Sequence, residues 1–196
     1  MPSHIALLRG INVGGHNKVA MADLRAVVSS LGHTDVATYI QSGNVVFTSP
    51  ESNCRSLAVA LERAIADALG VQPAVVVLTC DALAQVVAAN PFPDEIDPKR
   101  LHAAFRMEEP GPDEVDGVAA AVDRARAKGS ADEASLVGRT LYLRTPDGLG
   151  RSLLAVELSR ARGALAARSS ATMRNWATVS KLLAMCQSEH GAVAGP

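Results

Sequence analysis

The 196-residue chain is nearly neutral, with 19 basic and 20 acidic residues, so no overall charge draws it to nucleic acid or to an anionic membrane. Its apolar fraction of 48% excludes wholesale disorder, and no apolar run is long enough for a membrane span. The first residues lack a signal-peptide pattern, because an arginine and several glycines interrupt a short apolar run. We therefore expect a cytoplasmic protein with no membrane partner, folded as one large domain or two small ones.

The first half of the chain has alternating strand and helix patterns. Its predicted strands are residues 4–8, 35–40, 44–48 and 74–79, and its predicted helices are residues 21–31 and 50–69. Ser49 is the expected N-cap of the second helix with Pro50 at its first position, while Gly32 and Gly70 are the expected helix stops. The order of elements is βαββαβ.

The second half repeats this order after a connecting segment. A short helix at 81–90 and a proline-punctuated linker at 91–98 form the connection. The predicted strands are then residues 101–107, 134–137, 140–144 and a weak one at 165–169, and the predicted helices are 113–128, 152–162 and 175–187. Gly163 is the expected stop of the helix at 152–162.

The repeated order predicts an α+β protein of two fused ferredoxin-like (βαββαβ) units with mainly antiparallel sheets and an additional C-terminal helix. The expected domains are residues 1–80 for the first unit, 81–100 for the helix and linker, 101–187 for the second unit with the C-terminal helix, and 188–196 for a flexible tail. In such a unit the βα crossover makes strands one and two run the same way, so their C-terminal ends share one edge. The segments 10–18 and 41–44 should therefore meet in space.

The first of these segments is rich in glycine and positive charge. Residues 8–18 read Leu-Arg-Gly-Ile-Asn-Val-Gly-Gly-His-Asn-Lys. The spacing is close to the P-loop pattern, but His16 and Asn17 stand where that pattern needs a lysine and a hydroxyl, which excludes nucleotide hydrolysis of that kind. Two interpretations remain. The glycines can simply make a tight connection, or Arg9 and Lys18 can surround an anion held by successive backbone N–H groups.

The second segment, Gln41-Ser42-Gly43-Asn44, is ordinary turn chemistry on its own. Its functional interpretation depends on the expected closeness to the glycine-rich segment.

A third motif begins at Thr172, where we expect a helix cap. Arg174 would then lie in the first helical turn, where the helix dipole disfavours a cation. An anionic ligand, or a carboxylate elsewhere in the fold, would explain an arginine at that position. The expected polar stripe is Arg174, Thr178 and Lys181, and the expected core face is Trp176, Val179, Leu183 and Cys186. A simple solvated face is the alternative interpretation of the stripe.

The three cysteines, Cys54, Cys80 and Cys186, are widely spaced and odd in number. No disulfide framework or zinc spacing can be drawn from them, so each is expected to be a small buried side chain or a free thiol. The histidines are scattered as well, and we predict no metal site.

Taken together, residues 9–15, 39–47, 174–178 and 181–182 resemble the bacterial family catalogued as domain of unknown function 1697 (DUF1697), over essentially the whole chain and in the same order. The resemblance implies two fused ferredoxin-like units and no established activity. Family members often carry a lysine after the serine equivalent to Ser152, where this chain has Leu153. If that lysine helps a site, the site here is altered or absent.

These observations favour binding of a phosphate- or carboxylate-bearing small molecule at a composite surface. The candidate ligand-binding residues are Arg9, Asn12, Gly14, Gly15, Asn17, Lys18, Gln41, Ser42, Asn44, Arg174, Asn175 and Lys181. No catalytic residue, cofactor or oligomeric state can be named, and whether the protein is an enzyme stays open. The alternatives are a nucleic-acid-binding module on a ferredoxin-like sheet, which the aromatic content of 3% disfavours, and an interaction or structural protein with no small ligand.

Overall fold

A computed structural model describes residues 1–14, 16–165 and 171–188, with no side-chain detail for 161–165. Within these residues the protein is α+β, with two four-stranded antiparallel sheets and six α-helices. None of the described helices is both long and apolar enough to cross a bilayer. The chain forms two compact units, the first containing Met1–Gln85 with the residues from Ser180 onward, and the second Val86–Val179.

The first unit contains a sheet with the strand order β2-β3-β1-β4. Its strands are β1 (His4–Arg9), β2 (Thr34–Tyr39), β3 (Asn44–Thr48) and β4 (Ala74–Thr79), and its helices are α1 (Met21–Ser30), α2 (Cys54–Leu69) and the start of α3 (Cys80–Ala88). Every pairing is antiparallel. The central strand β1 has a neighbour on each side, and its apolar residues from Ile5 to Leu8, which point alternately to the two faces of the sheet, are all almost completely buried.

Helix α2 begins four residues later than the sequence predicts. Ser49 and Pro50 lie in a turn, where the Ser49 hydroxyl accepts a hydrogen bond from the Glu51 N–H at 3.1 Å. Asn53 is the N-cap instead, because its side-chain oxygen accepts bonds from two backbone N–H groups of the first helical turn. The predicted stop is confirmed, since Gly70 has a left-handed φ of 68°.

The second unit has the same order of elements. Its strands are β5 (Leu101–Phe105), β6 (Glu133–Val137), β7 (Thr140–Arg144) and β8 (Thr172–Asn175), and its helices are α4 (Pro112–Ala127), α5 (Leu153–Leu165) and the start of α6 (Trp176–Gln187). The strand order is β6-β7-β5-β8, again antiparallel throughout. Ala121 and Ala125 on α4 are almost completely buried in a core shared with β5, β7 and α5, where small side chains allow close packing.

Two predictions at the end of this unit are wrong. Gly163 does not stop α5, which continues to Leu165, so no strand begins at 165 as expected. The rest of the predicted strand, residues 166–170, lies outside the described residues. The fourth strand is β8, which pairs with β5 from Phe105↔Thr172 to His102↔Asn175 and so satisfies the open side of that strand. The predicted tail at 188–196 lies outside the described residues except for Ser188.

The cysteine prediction holds for Cys54, which forms no disulfide, and is wrong for the other two. Cys80 and Cys186 are joined by a disulfide, with their Cα atoms 5.8 Å apart, and both belong to the first unit. A separation of 106 positions gives no signal in the sequence. Only the folded chain brings the start of α3 beside the last turn of α6.

Candidate functional site

The segment at residues 10–18, called the glycine loop below, is a small hairpin. The Asn12 N–H donates to the Asn17 carbonyl at 3.0 Å, and the His16 N–H donates to the Val13 carbonyl at 3.1 Å. Gly14 therefore lies at the tip, with a positive φ of 60°, and Gly15 lies outside the described residues. The chain turns back on itself between Val13 and His16, which form an isolated antiparallel bridge.

The Asn12 side chain fastens the glycine loop in two directions. Its oxygen accepts a bond from the Val19 N–H at 2.8 Å, and its amide nitrogen donates to the Val19 carbonyl and to the Gln41 carbonyl, both at 2.9 Å. Both amide hydrogens are thus in use. The bond to Gln41 confirms that the glycine loop meets the turn between β2 and β3.

Asn17 closes the base of the same loop. Its amide nitrogen donates to the Gly10 carbonyl at 2.8 Å. Asn12 and Asn17 both have left-handed backbones, with φ of 53° and 50°, a conformation that asparagine tolerates better than other residues with a side chain. The asparagines that the sequence marks as candidate ligand groups are therefore committed to holding the loop in shape.

The β2–β3 turn (residues 40–43) packs directly against the end of β1. The Gly43 carbonyl accepts a bond from the Leu8 N–H at 2.8 Å. A Cβ atom at Gly43 would lie 2.7 Å from the Leu8 Cβ and 2.9 Å from the Ile11 Cδ1, so no side chain fits there. Asn44 is completely buried and donates to the Tyr39 carbonyl at 2.9 Å and the Ser42 hydroxyl at 3.0 Å.

Two cationic side chains flank this fastened pair of loops. Arg9 is the last residue of β1, and Lys18 follows Asn17, so the two lie next to the residues whose hydrogen bond closes the base of the glycine loop. Both are exposed, as are Gln41 and Ser42 on the turn. A ligand that approached this surface from solvent would meet these exposed polar groups.

Helix α1 adds a feature that the sequence reasoning missed. It begins at Met21, three residues after Lys18, and its N-cap, Ala20, supplies no side-chain hydrogen bond. The N-terminal N–H groups of a helix favour anions when no side chain caps them. The absence of Ser, Thr, Asp or Asn at position 20 was the available signal. Arg25, also missed, reaches from this helix to the Thr38 hydroxyl at 2.7 Å, two residues before the turn.

The third motif is placed differently from the prediction. Arg174 lies in strand β8 of the second unit and not in a first helical turn, because residues 172–175 pair with β5. It is 9% exposed and donates to the Thr172 hydroxyl at 2.8 Å and the Met173 carbonyl at 2.9 Å. Burial lowers the pKa of this guanidinium to about 10. The predicted stripe with Thr178 and Lys181 therefore does not exist.

The remaining members of that motif have separate positions. The Asn175 side chain caps α6 by accepting a bond from the Thr178 N–H at 2.9 Å. Lys181 is an exposed residue of α6 in the part of the helix that belongs to the first unit. Of the predicted core face, Val179 and Cys186 are buried, whereas Trp176 is half-buried with its ring 6.2 Å from that of Tyr142.

The chemistry available at the glycine loop is recognition by charge and hydrogen bonds. Arg9 and Lys18 are charged donors, and the loop segment contributes no carboxylate or thiol; the exposed His16 imidazole is its one side chain that could serve as a base. Among the described residues, no group of three or more His, Cys, Asp or Glu side chains could hold a metal ion.

The strand order and the fastened loops define a two-unit α+β protein with a polar edge in its first unit. The chain belongs to the family described as a protein of unknown function, DUF1697, whose pattern matches residues 1–142. The match contains the glycine loop and the β2–β3 turn but ends before β8. The chain is also similar to the conserved bacterial protein SP0830 from Streptococcus pneumoniae, with 26% identity and a TM-score of 0.68 over 94% of this chain and 98% of that one. No curated protein matches the chain.

Proposed function

We propose that the first unit binds a small molecule bearing a phosphate or carboxylate group, at the surface of the glycine loop and the β2–β3 turn. One observation carries this proposal. The neutral amide of Asn12 joins the two loops, while the charged side chains of Arg9 and Lys18 stay exposed beside the join. A ligand at this surface would meet two positively charged side chains next to a loop that amide hydrogen bonds hold in shape.

The two cations suit such a ligand in complementary ways. The planar guanidinium of Arg9 offers paired N–H donors that match the geometry of a carboxylate or phosphate, whereas the Lys18 ammonium acts as a point charge. The N-terminus of α1, which no side chain caps, adds partial positive charge next to Lys18. We infer binding and assign no reaction to this surface.

Backbone strain at the turn supports a functional role. Ile40 has a φ of 48°, and its side chain is half-exposed. A β-branched residue in the left-handed region is a rare and strained arrangement, which tends to be retained near functional sites. A simple connection could relieve this strain with asparagine or glycine.

We further propose that each unit is ferredoxin-like and that the chain is a duplication of this unit. The supporting observation is the strand order, which places the first and third strands of each βαββαβ segment in the middle of an antiparallel sheet. In that arrangement the loop after the first strand and the hairpin turn share an edge, which is where the proposed site lies. Arg174, Asn175 and Lys181 are not needed for it and remain predictions.

The test uses pyrophosphate and citrate as probes in isothermal titration calorimetry at low ionic strength, with thermal melting as a second readout. We expect both anions to bind and to raise the melting temperature of the wild type. Arg9→Ala and Lys18→Ala should each weaken binding by about tenfold, because each removes a charge-assisted contact. Arg139→Ala is the matched control, since Arg139 occupies the corresponding hairpin turn of the second unit, and it should bind as the wild type does.

The proposal fails if a broad panel of phosphorylated and carboxylated metabolites produces neither heat nor a melting shift, or if Arg139→Ala weakens binding as much as Arg9→Ala. Binding of single-stranded oligonucleotides with a steep loss of affinity in salt would instead favour the nucleic-acid alternative.

A further inference from the structure

The Cys80–Cys186 disulfide lies at a cavity, and its two sulfurs differ in access. A cavity of about 410 Å³ in the first unit is lined by both cysteines, together with residues from the start of β1, the segment after β3 and the start of α3. Cys80 is half-buried, whereas Cys186 is only 4% exposed. A small molecule that enters the cavity therefore meets Cys80 first.

The position of Cys80 suits a reactive sulfur. It is the first residue of α3, whose N-terminus is capped by the Thr79 hydroxyl accepting from the Ala82 N–H at 3.0 Å. A helix N-terminus stabilises a thiolate. The Cys80 sulfur also lies 3.4 Å from the Pro2 carbonyl oxygen, which can accept a hydrogen bond from the protonated thiol. Both protonation states of a reduced Cys80 thus have a stabilising partner.

The charge of the cavity is negative. Its charged side chains are the carboxylates Glu51 and Asp81, and no lysine or arginine is found among the described residues that line it. His4 also lines the cavity, but burial lowers the pKa of its imidazole and keeps it neutral near pH 7. The amino group of Met1 lies 4.0 Å from Asp35, whose carboxylate balances its charge.

We propose that Cys80 and Cys186 form a reversible thiol–disulfide couple that exchanges with a small thiol carrying an amino group. The cavity admits the thiol, and Glu51 and Asp81 favour its positive charge. In reducing compartments, such as the cytoplasm that the sequence leads us to expect, disulfides are usually transient or redox-active.

The exchange proceeds in two balanced steps. The thiolate of the small molecule attacks the Cys80 sulfur, the protein disulfide breaks, and Cys186 leaves as a thiolate that takes up a proton. A second thiolate then attacks the sulfur of the small molecule in the mixed disulfide, and Cys80 leaves. Two molecules of the small thiol are oxidised to one disulfide, and the protein gains two electrons and two protons as its dithiol.

The first experiment measures the rate at which three thiols reduce the folded protein, by alkylation and intact mass. Cysteamine, 2-mercaptoethanol and mercaptoacetate carry positive, zero and negative charge, and each rate is divided by that for a small exposed disulfide. We expect the normalised rate for cysteamine to exceed that for mercaptoacetate by about tenfold, because two carboxylates line the cavity. Glu51→Gln combined with Asp81→Asn should abolish the difference. Cys54→Ser is the control and should leave every rate unchanged.

The second experiment identifies the attacked sulfur. With cystamine, Cys186→Ser should form a mixed disulfide at Cys80 rapidly, whereas Cys80→Ser should modify the buried Cys186 at least about tenfold more slowly, in proportion to access. The proposal is overturned if excess thiol reduces the disulfide only after the protein unfolds, or if Cys80 and Cys186 stay reduced after treatment with cystamine. Equal rates of modification in the two single variants would contradict Cys80 as the attacked sulfur. A rate difference between cysteamine and mercaptoacetate that persists in the double variant would contradict the assigned positive charge of the thiol.

Discussion

The two units fasten the same edge of their sheets with different chemistry. In the first unit, the neutral amide of Asn12 bonds to the Gln41 carbonyl on the hairpin turn. In the second unit, Arg139 on the hairpin turn donates to the Met107 carbonyl at 3.1 Å and lies 4.0 Å from the Glu109 carboxylate. A cation therefore makes the join in the second unit, and an amide makes it in the first.

The helices that follow differ in the same sense. Helix α4 has Pro112 at its start and two acidic residues in its first turn, of which Glu114 lies 3.3 Å from the buried Arg106. Helix α1 has no capping side chain and a single acidic residue, Asp23, in its first turn. At this edge of the second unit, the cations Arg106 and Arg139 lie near the carboxylates of Glu114 and Glu109, whereas residues 8–18 of the first unit contain exposed Arg9 and Lys18 and no carboxylate. We therefore place the proposed anion site in the first unit and not at the corresponding edge of the second.

The largest loss of stability is expected from adding a side chain at Gly43, where the β2–β3 turn packs against the end of β1. Gly43→Ala should lower the free energy of unfolding by about 2–4 kcal/mol, because the new Cβ clashes with Leu8 and because alanine is strained at a φ of 78°. Urea denaturation followed by circular dichroism measures this.

The matched control is Gly138→Ala in the second unit, where φ is also positive but no atom lies within 4 Å of the new Cβ. It should cost only about 1 kcal/mol of backbone strain. Equal losses from the two substitutions would contradict the tight packing of the first-unit edge.

The next largest loss of stability is expected from removing the Asn12 side chain, which joins the glycine loop to the β2–β3 turn. Asn12→Gly removes three hydrogen bonds and should lower the free energy of unfolding by about 1–3 kcal/mol. It should also weaken anion binding, although Asn12 does not contact the proposed anion, because it holds the two loops together. Asn17→Gly is the control, because Asn17 has a similar positive φ and glycine relieves the same backbone strain at both positions. It removes only one hydrogen bond, so its loss of stability should be smaller. Thermal melting and calorimetry on both variants check this, and a larger loss from Asn17→Gly would argue against Asn12 as the join.

The ion pairs of Glu157 in the second unit can be tested through the dependence of the melting temperature on pH. Glu157 is buried, and hydrogen bonds from Lys128 and then Arg124 lower the pKa of its carboxyl group to about 2, with Arg160 adding further positive charge. A lowered folded-state pKa means stability that is present above the ordinary value near 4.5 and is lost as the pH falls towards 2.

Glu157→Gln should therefore melt below the wild type at pH 7, and the gap between the two should narrow from about pH 5 towards pH 2. The side chains of the three cations are 47–65% exposed and can turn to water, so the loss of stability should be smaller than that from Asn12→Gly. A gap that stays constant with pH would show that the carboxylate charge does not stabilise this cluster.

The smallest effect is a gain. Ile40→Asn should stabilise the protein by about 0.5–1 kcal/mol, because asparagine tolerates the left-handed backbone that strains isoleucine. Ile96→Asn is the control, an exposed isoleucine whose φ is not positive, and should leave stability unchanged. If Ile40→Asn also weakens anion binding, the strained backbone at Ile40 contributes to binding. If Ile40→Asn and Ile96→Asn have the same melting temperature, the turn is not strained.

Short-range patterns account for most of the fold that could be predicted. Residues 74–79 are β4 as expected, and Gly32, Gly70 and the Gly138 turn mark real chain reversals because glycine alone adopts positive φ without strain. The errors occur where a tertiary partner competes with a local signal. Ser49 is a good cap by type, but its backbone N–H bonds to the Ser3 hydroxyl at 3.1 Å, and Asn53 caps the helix instead.

The meeting of the glycine loop and the β2–β3 turn was predictable, and the roles of the residues in them were not. Parallel directions of β1 and β2 place the glycine loop and the turn at one edge, which follows from element order. Which asparagine amides would bond to backbone carbonyls, and which side chains would stay exposed, depends on distances that no sequence spacing gives.

The sequence by itself determined the order of elements, the glycine turns and the family, because each follows from local periodicity, backbone sterics or motif. The tertiary structure alone decided that Arg174 is a buried strand residue, that Cys80 meets Cys186, and that Asn12 fastens the loops while Arg9 stays exposed. These outcomes depend on which distant segments become neighbours when the two sheets form, and burial and hydrogen bonding then assign each side chain its role.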